Sequence, residues 1–275
     1  CGATTICAEH CSMLVAKAIQ DNRMYNGQEA STRYLDMEKQ PVLNPLGRGV
    51  GEVIQADWMI FYAKALAELV PYLMEQYPIL PGEDEKVYKK AIKAKAFDIA
   101  RGFLPAGCTT YVGWFTNLRQ AWDHLRELKF HPLQEARMMA GRIHEELLAK
   151  YPSSFGFKIY PGQDEYQGLC SGTAYEDLSL PFKFHYSHNL DLHSLSSGEL
   201  NRRILTERPP KTELPETFER FGQFSFEFYL DFGSFRDLQR HRSCVQVMPL
   251  LTTRHGFHEW YLDSLTPRLR AEAMN

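Results

Sequence analysis

The sequence has no long apolar run, no leader-like start and no cysteines in a metal-binding arrangement. No stretch approaches the roughly 20 apolar residues of a membrane helix, and residues 1–10 lack the basic start and apolar stretch of a secretion signal. The six cysteines show no CxxC spacing, which predicts reduced, mostly buried thiols and a cytoplasmic protein. A formal net charge of −3 excludes a protein that coats nucleic acid through bulk charge.

The remaining composition is that of an ordinary globular protein. The chain has 275 residues, of which 44% are hydrophobic and 24% charged, so a core can form without disulfides or metal. This length predicts one large domain or two smaller ones. Cys7, His10 and Cys11 lie within one helical turn, but a buried helix face accounts for them better than a metal site, and we expect no metal. Because the chain begins with Cys1 and its first residues resemble the inside of a helix, we expect upstream sequence to be missing.

Helical periodicity dominates the first 151 residues. Apolar stripes predict helices at 6–20, 53–76, 86–102, 109–128 and 133–151. Pro71 is expected to kink or end the second of these helices. Pro-Gly, Ser-rich and Pro-Pro stretches predict an irregular extension and linker at 152–215, with a short strand at 183–187. Period-two alternation then predicts a strand at 221–232, followed by a helix at 235–242.

Three polar clusters have a composition suited to phosphate binding. They lie at 28–34, at 101–105 together with 117–119, and at 236–242. Each contains arginine beside hydroxyl, amide or carboxylate groups, and a guanidinium fork with a short hydroxyl matches phosphate oxygens. Taken alone, each cluster is also typical of a solvated surface, since arginine is mostly a surface residue.

The combined spacing of the first cluster resembles that of the flavin-dependent thymidylate synthases, or thymidylate synthase complementing proteins. In that family an Arg-His-Arg tripeptide is followed, after seven residues, by Ser-x-Arg, with a glutamate two residues before the serine. Here Arg23 is followed after seven residues by Ser31 and Arg33, and Glu29 has the matching place.

The other two clusters extend the resemblance. The family's Arg-x-x-Leu-Pro motif and the Asn-x-Arg twelve residues after its proline match at 101–105 and 117–119, so that the resemblance covers roughly residues 1–151. Residues 221–242 resemble the family's strand-to-helix segment and end in an intact Arg240-His241-Arg242.

The chain departs from the family at several of these positions. Asp21 and Asn22 stand where the first tripeptide has Arg and His. Leu128 stands where the family has an arginine that approaches the pyrimidine, so either the register is shifted and the adjacent Lys129 substitutes, or the role is lost. After the intact second tripeptide, Leu250 replaces the serine. These complementary losses predict a tandem duplication with one composite site, in a family whose sites collect residues from several subunits.

The resemblance implies an α+β fold in which an antiparallel sheet is packed with long helices. We predict a helix-rich thymidylate-synthase-like unit at 1–151 that lacks its N-terminal part. An extension and linker at 152–215 and the start of a second similar unit at 216–275 are predicted to follow.

The implied reaction is reductive methylation of dUMP to dTMP, with methylenetetrahydrofolate as carbon donor and NADPH as reductant of FAD. The implied partners are therefore these small molecules, with no nucleic acid polymer and no membrane, in a homo-oligomer that is a dimer or tetramer. The resemblance assigns substrate binding to Glu29, Ser31, Arg33 and Arg101. It assigns catalysis to Arg101 and Lys129. It assigns cofactor binding to Arg23, Asn117, Arg119, Arg240, His241 and Arg242.

Two alternatives stay open. A degenerate family member would bind flavin or nucleotide, or only assemble, without making thymidylate. An unrelated helical interaction domain would present the three clusters as solvated surface.

Overall fold

The computed structural model describes residues 2–32, 35–44, 49–156, 158, 160–175 and 184–275. Helices dominate this part of the chain and small antiparallel sheets accompany them, which confirms the α+β fold class. Two compact units are formed, one by residues 1–177 together with 232–275 and the other by residues 178–231. No helix in the described ranges is long and apolar enough to span a bilayer.

A three-stranded antiparallel sheet lies in the first unit, with the strand order β1–β3–β2. The strands are β1 (Ala3–Ser12), β2 (Asn26–Glu29) and β3 (Thr109–Asn117). Along β3 the side chains of Val112 and Trp114 are buried while that of Phe115 is exposed. This alternation is typical of a sheet with one face on a core.

Two of the predicted helices begin as strands, so those two predictions are wrong in their first halves. The segment predicted helical at 6–20 is β1 up to Ser12, and only then helix α1 (Met13–Gln20). The segment predicted helical at 109–128 is β3 followed by helix α4 (Leu118–Leu128). Apolar residues at mixed spacing fit both periods, and the β-branched residues of both first halves favour a strand.

A side-chain cap marks each change from strand to helix. Oγ of Ser12 accepts a hydrogen bond from the backbone N of Val15 at 3.1 Å. Oδ1 of Asn117 accepts one from the backbone N of Gln120 at 2.9 Å. Each cap satisfies an amide that the first helical turn leaves without a partner.

The other helices of the first unit agree closely with the predicted ones. They are α2 (Gly49–Gln76), α3 (Glu85–Ala100) and α5 (Gln134–Lys150). Helix α2 runs past Pro71, so the proline does not end it. The shorter helices are α6 (Pro152–Phe155), α7 (Gln163–Thr173), α10 (Phe232–Leu238), α11 (Glu259–Asp263) and α12 (Pro267–Ala273), and 3₁₀ turns occupy Met37–Lys39 and Arg101–Phe103.

Two hydrophobic cores hold this unit together. One lies between the sheet and helices α1, α4 and α5, and the other between α2, α3 and the C-terminal helices. Tyr261, Leu265 and Leu269 are buried in the second core. Burying these side chains ties residues 232–275 to the first unit, whereas the predicted boundaries set residues 216–275 apart. The compact units are thus 1–177 with 232–275 and 178–231, and the division into two similar family units at 151 and 215 stays a prediction.

The second unit, residues 178–231, is described from Phe184 onward. It holds a two-stranded antiparallel sheet of β4 (Phe184–Leu190) and β5 (Gly222–Phe228). Between the strands lie α8 (Leu192–Ser197), α9 (Glu199–Thr206) and a 3₁₀ helix at Glu216–Phe221. Both predicted strands are present, although the second ends earlier than predicted, and the helix after it starts at 232 instead of 235.

The cysteines differ from the prediction of mostly buried thiols. All five described cysteines are free, and only Cys11 and Cys108 are buried. Cys7 and Cys11 lie on β1, where a bulge with a positive φ of 55° at His10 separates them, so the expected buried helix face does not form. Within the described residues, no three His, Cys, Asp or Glu side chains converge as a metal site requires.

Candidate functional site

The first cluster lies at the end of β2, where Glu29 has two partners. Its Oε2 accepts a hydrogen bond from Nε2 of Gln20 at 2.7 Å, and its Oε1 forms an ion pair with Nη2 of Arg236. Ser31 follows after the strand, and its carbonyl oxygen accepts a hydrogen bond from the backbone N of Leu35 at 3.1 Å. Arg33, the third predicted nucleotide ligand, lies outside the described residues.

Helix α10 and the turn after it bring the third cluster to this place. Phe235 is buried, and Nη1 of Arg236 lies 3.3 Å from Sδ of Met13 in α1. The guanidinium of Arg242 lies 4.7 Å from the ring centroid of Tyr25, within cation–π range. The contacts join residues more than 200 positions apart, so tertiary packing alone creates this site.

A buried polar cluster underlies the contact between α1 and α10. The ammonium of Lys17 lies 2.5 Å from Oδ2 of Asp21, and Lys17 is only 4% exposed. Nε2 of Gln239 donates to Oδ1 of Asp21 at 3.1 Å and to the backbone oxygen of Lys17 at 3.2 Å. Nη2 of Arg23 donates to the backbone oxygen of Ser243 at 3.4 Å. The two tripeptide positions, 21–23 and 240–242, therefore lie beside each other.

Arg101 meets α10 from another direction. Its guanidinium lies 3.4 Å from Oδ2 of Asp237 and 3.7 Å from Oδ1 of Asp98, and Nη2 of Arg240 lies 3.7 Å from the other oxygen of Asp237. Close packing explains why a glycine follows Arg101: a Cβ at Gly102 would lie 2.4 Å from a ring carbon of a buried tyrosine. Asp237 therefore holds two arginines of two separate predicted motifs.

Unpaired donors mark this region as suited to an anion. Nε of Arg101 and Nε of Arg242 are among the buried side-chain atoms of the described residues that have no hydrogen-bond partner, and Nε of Arg101 lies 3.7 Å from Oδ1 of Asp98. A buried donor without an acceptor is unfavourable, and a phosphate oxygen is the acceptor that a guanidinium suits best. These residues thus fit the pyrophosphate of a dinucleotide or the phosphate of a nucleotide.

Several predicted ligands lie elsewhere in the same chain. Asn117 is the last residue of β3 and Arg119 follows in α4, whereas Glu29 pairs with Val112, which lies five residues before Asn117 on that strand. Five residues of extended strand span about 17 Å. Arg119 is exposed in the first turn of α4. One chain therefore does not bring these two residues together with Glu29.

Lys129 also lies apart from the cluster. Its ammonium pairs with Asp164 of α7, and the Lys129 side chain is exposed. The neighbouring Leu128 is 4% exposed and packs in the core beneath the sheet. The position that the resemblance gives to a pyrimidine-contacting arginine is thus filled by a core side chain.

The assignments made from the sequence omitted the residues that attach α10. Arg236 contacts Glu29, and Gln239 contacts Asp21. In the cluster at 236–242, the resemblance assigns cofactor binding only to residues 240–242. One signal was available, because a glutamine directly precedes each tripeptide, as Gln20 and as Gln239. Each tripeptide also follows a strand and a helix, α1 in the first case and α10 in the second.

Burial keeps one tyrosine and two thiols of this unit in their neutral forms. Burial raises the pKa of Tyr25 to about 12, with Arg242 opposing the shift and Glu29 adding to it. Burial likewise raises the pKa values of the Cys11 and Cys108 thiols to about 12. A thiol with this pKa is not a nucleophile near neutrality, so Cys11 and Cys108 fit a structural role.

Comparison with known proteins agrees with the motif spacing. A family model described as "Thymidylate synthase complementing protein" matches residues 2–153. The chain is 24% identical to a UPF0159 protein of Chlamydia pneumoniae and 26% identical to one of Chlamydia muridarum, over 94% and 93% of this chain and 59% of each relative. It is 26% identical to a UPF0159 protein of Thermoplasma acidophilum over 63% of this chain and 41% of the relative. The chain thus spans about three-fifths of the length of the chlamydial relatives.

Proposed function

The chain belongs to the thymidylate synthase complementing protein family, and we propose that it performs flavin-dependent reductive methylation of dUMP to dTMP. Methylenetetrahydrofolate would give the carbon and NADPH would reduce FAD. The observation that carries the proposal is the pairing of Arg236 with Glu29, which joins the helix before the intact Arg240–Arg242 tripeptide to the strand end before Ser31. The first motif lacks the Arg and His of its tripeptide, and the second motif lacks the serine. In this proposal the second motif supplies the tripeptide and the first motif supplies the serine.

In this proposal different arginines bind the flavin, the nucleotide phosphate and the pyrimidine. Arg240 to Arg242, with Arg23 beside them, bind the flavin pyrophosphate. Ser31 and Arg33 hold the nucleotide phosphate, while Arg101 lies against the pyrimidine. Guanidinium groups suit these tasks because they keep their charge and bind phosphate through two parallel hydrogen bonds.

The residues present fit FAD, since the buried Nε of Arg242, in the intact tripeptide, has no hydrogen-bond acceptor. When bound, FAD supplies hydride transfer, which no side chain can supply. The protein's own work is then orientation and electrostatic stabilisation of the pyrimidine, together with exclusion of water. Cys11 and Cys108 do not act as nucleophiles in this proposal, given their raised pKa values.

The separation of Asn117 and Arg119 from Glu29 supports a site shared between copies of the chain. If one copy supplied the α10 side and another supplied the start of α4, a homo-oligomer would complete each site. Mixing an Arg119→Ala chain with an Arg242→Ala chain tests this arrangement. Restored turnover in the mixture supports sharing, and inactivity of the mixture contradicts it.

A flavin titration tests the binding half of the proposal. The purified full-length polypeptide should be yellow, and Arg240→Ala with Arg242→Ala should remove most of its flavin. Arg142→Ala, on the exposed side of α5, is a control that should keep the flavin. An undiminished flavin load in the Arg240/Arg242 variant would contradict the composite site.

A second candidate function is supported by Leu128 and Lys129. Because Leu128 is buried in the core and Lys129 is paired with Asp164, neither side chain is free to polarise a pyrimidine in the chain as it stands. A degenerate member would bind flavin or nucleotide without synthesis. Measurement of dUMP-dependent NADPH oxidation separates the two: turnover supports the synthase, and a flavin-loaded protein without turnover supports the degenerate member.

A further inference from the structure

We infer that Asp21 and Gln239 are positioning residues that fix the segment 232–243 against α1, and thereby aim Arg240–Arg242 at the anion site. The inference rests on the proposed function for the identity of the ligand. It differs from the resemblance, in which Asp21 counts only as the loss of an anion-binding arginine. Here the same substitution has a positive role.

The charge balance around Asp21 gives the physical reason. Lys17 is almost fully buried, and the carboxylate of Asp21 at 2.5 Å is its partner. The ring of Phe235, from α10, lies 5.3 Å from the same ammonium. A buried ammonium requires such an anion, since an unpaired buried charge is strongly destabilising. An arginine at position 21 would instead place a second positive charge beside Lys17.

Gln239 connects this buried pair to the tripeptide. Its side chain is 6% exposed and donates to both Asp21 and the backbone oxygen of Lys17. Since Gln239 directly precedes Arg240, two hydrogen bonds from its amide fix the start of the tripeptide. The stacking of Arg242 over Tyr25 then sets the direction of the other end.

For the Asp21→Arg variant, this geometry predicts a change in FAD affinity opposite to the change expected if the substitution only restored the family's arginine. If Asp21 were merely a lost flavin ligand, Asp21→Arg would rebuild an Arg-x-Arg and tighten FAD binding. If Asp21 is a positioning residue, Asp21→Arg separates α10 from α1 and weakens FAD binding. The two readings therefore differ in the sign of the change in affinity.

The experiment measures the Kd for FAD and for inorganic pyrophosphate by calorimetry, and amide hydrogen exchange across residues 232–243. Asp21→Arg should raise both Kd values at least tenfold and speed exchange in 232–243 by a similar factor. Gln239→Leu, which keeps the size of the side chain and removes both donors, should act in the same direction. Unchanged or tighter binding by Asp21→Arg, or unchanged exchange in Gln239→Leu, would overturn the inference.

Two control variants separate positioning from charge and from general stability. Asp57→Arg makes the same change of charge at an exposed position of α2 and should leave the FAD affinity unchanged. Leu147→Ala creates a cavity in the core beneath the sheet, so it should lower the melting temperature without raising the Kd. An equal loss of affinity in Leu147→Ala would show that stability, not position, controls binding and would overturn the inference.

The exchange measurement keeps this test separate from that of the proposed function. If the native protein binds neither FAD nor pyrophosphate, the proposed function fails. Asp21 and Gln239 can then still be assigned or rejected as positioning residues, because faster exchange confined to 232–243 in Gln239→Leu does not depend on any ligand. Exchange that increases equally throughout α4 and α5 would count against them.

Discussion

Replacing Arg236 with methionine tests whether the ion pair to Glu29 attaches α10 to the sheet. Methionine keeps the unbranched aliphatic stem and removes the guanidinium, so packing beside Met13 should survive while the charge is lost. Glu29 would keep the hydrogen bond from Gln20 at 2.7 Å but no cation. The substitution therefore isolates the electrostatic part of the contact.

The structure sets the size of the expected effect. The Glu29 and Arg236 side chains are 12% and 20% exposed, so water screens the pair only in part. Removing one member of a buried pair typically destabilises a protein by roughly 3–5 kcal/mol. The remaining hydrogen bond from Gln20 reduces this, and we expect about 2 kcal/mol. In a unit of this size, that loss corresponds to a fall in melting temperature of about 4–8 °C.

A double-mutant cycle supplies the measurement. Scanning calorimetry of Glu29→Gln, Arg236→Met and the double variant should give a coupling free energy of about 1.5 kcal/mol. Arg142→Met, at an exposed position of α5, is the control and should shift the melting temperature little. A coupling free energy below about 0.5 kcal/mol would refute the reasoning, because the two residues would then act independently.

Three further predictions follow from single groups. Asp237→Asn should tighten pyrophosphate binding about two- to fivefold in a calorimetric titration, because the exposed carboxylate that competes for two arginines is lost; weaker binding would contradict this. At pH 8 iodoacetamide should label the exposed Cys244 and spare Cys11 and Cys108, whose pKa values lie at about 12, and rapid labelling of either buried thiol, detected by mass spectrometry, would contradict their burial. Burial lowers the pKa of His131 from 6.5 to about 4, so its neutral form stabilises the fold above pH 6.5 and this stability is lost as the pH falls toward 4. Urea titrations of His131→Gln between pH 7 and 4.5 should therefore show a weaker pH dependence than the native protein, and equal slopes would exclude the histidine.

The helical periods of α2, α3 and α5 could be read directly from the sequence. Each has an apolar stripe longer than three turns, which a strand cannot accommodate on one face. The strands β1 and β3 were missed because each continues into a helix without an intervening loop. A ten-residue strand followed at once by an eight-residue helix leaves an apolar pattern that fits one longer helix. The change is signalled only by the capping side chains of Ser12 and Asn117.

The candidate site was predictable as a set of motifs and not as an arrangement. Resemblance of the motif spacing to that of the family led to the prediction of Ser31, Arg101 and the 240–242 tripeptide as site residues, and their roles stay predictions. The motif spacing does not predict that Lys129 pairs with Asp164, or that Leu128 is buried in the core.

The sequence by itself determined the family, the α+β class and the residue types available for phosphate binding. Only the tertiary structure decided which of them meet. Arg236 and Glu29 are 207 residues apart, and they come together because burial of Phe235 and the pairing of Lys17 with Asp21 stabilise one position of α10 on α1. The position of α10 on α1 depends on the balance of burial and charge over the whole unit, and local spacing in the sequence does not encode that balance.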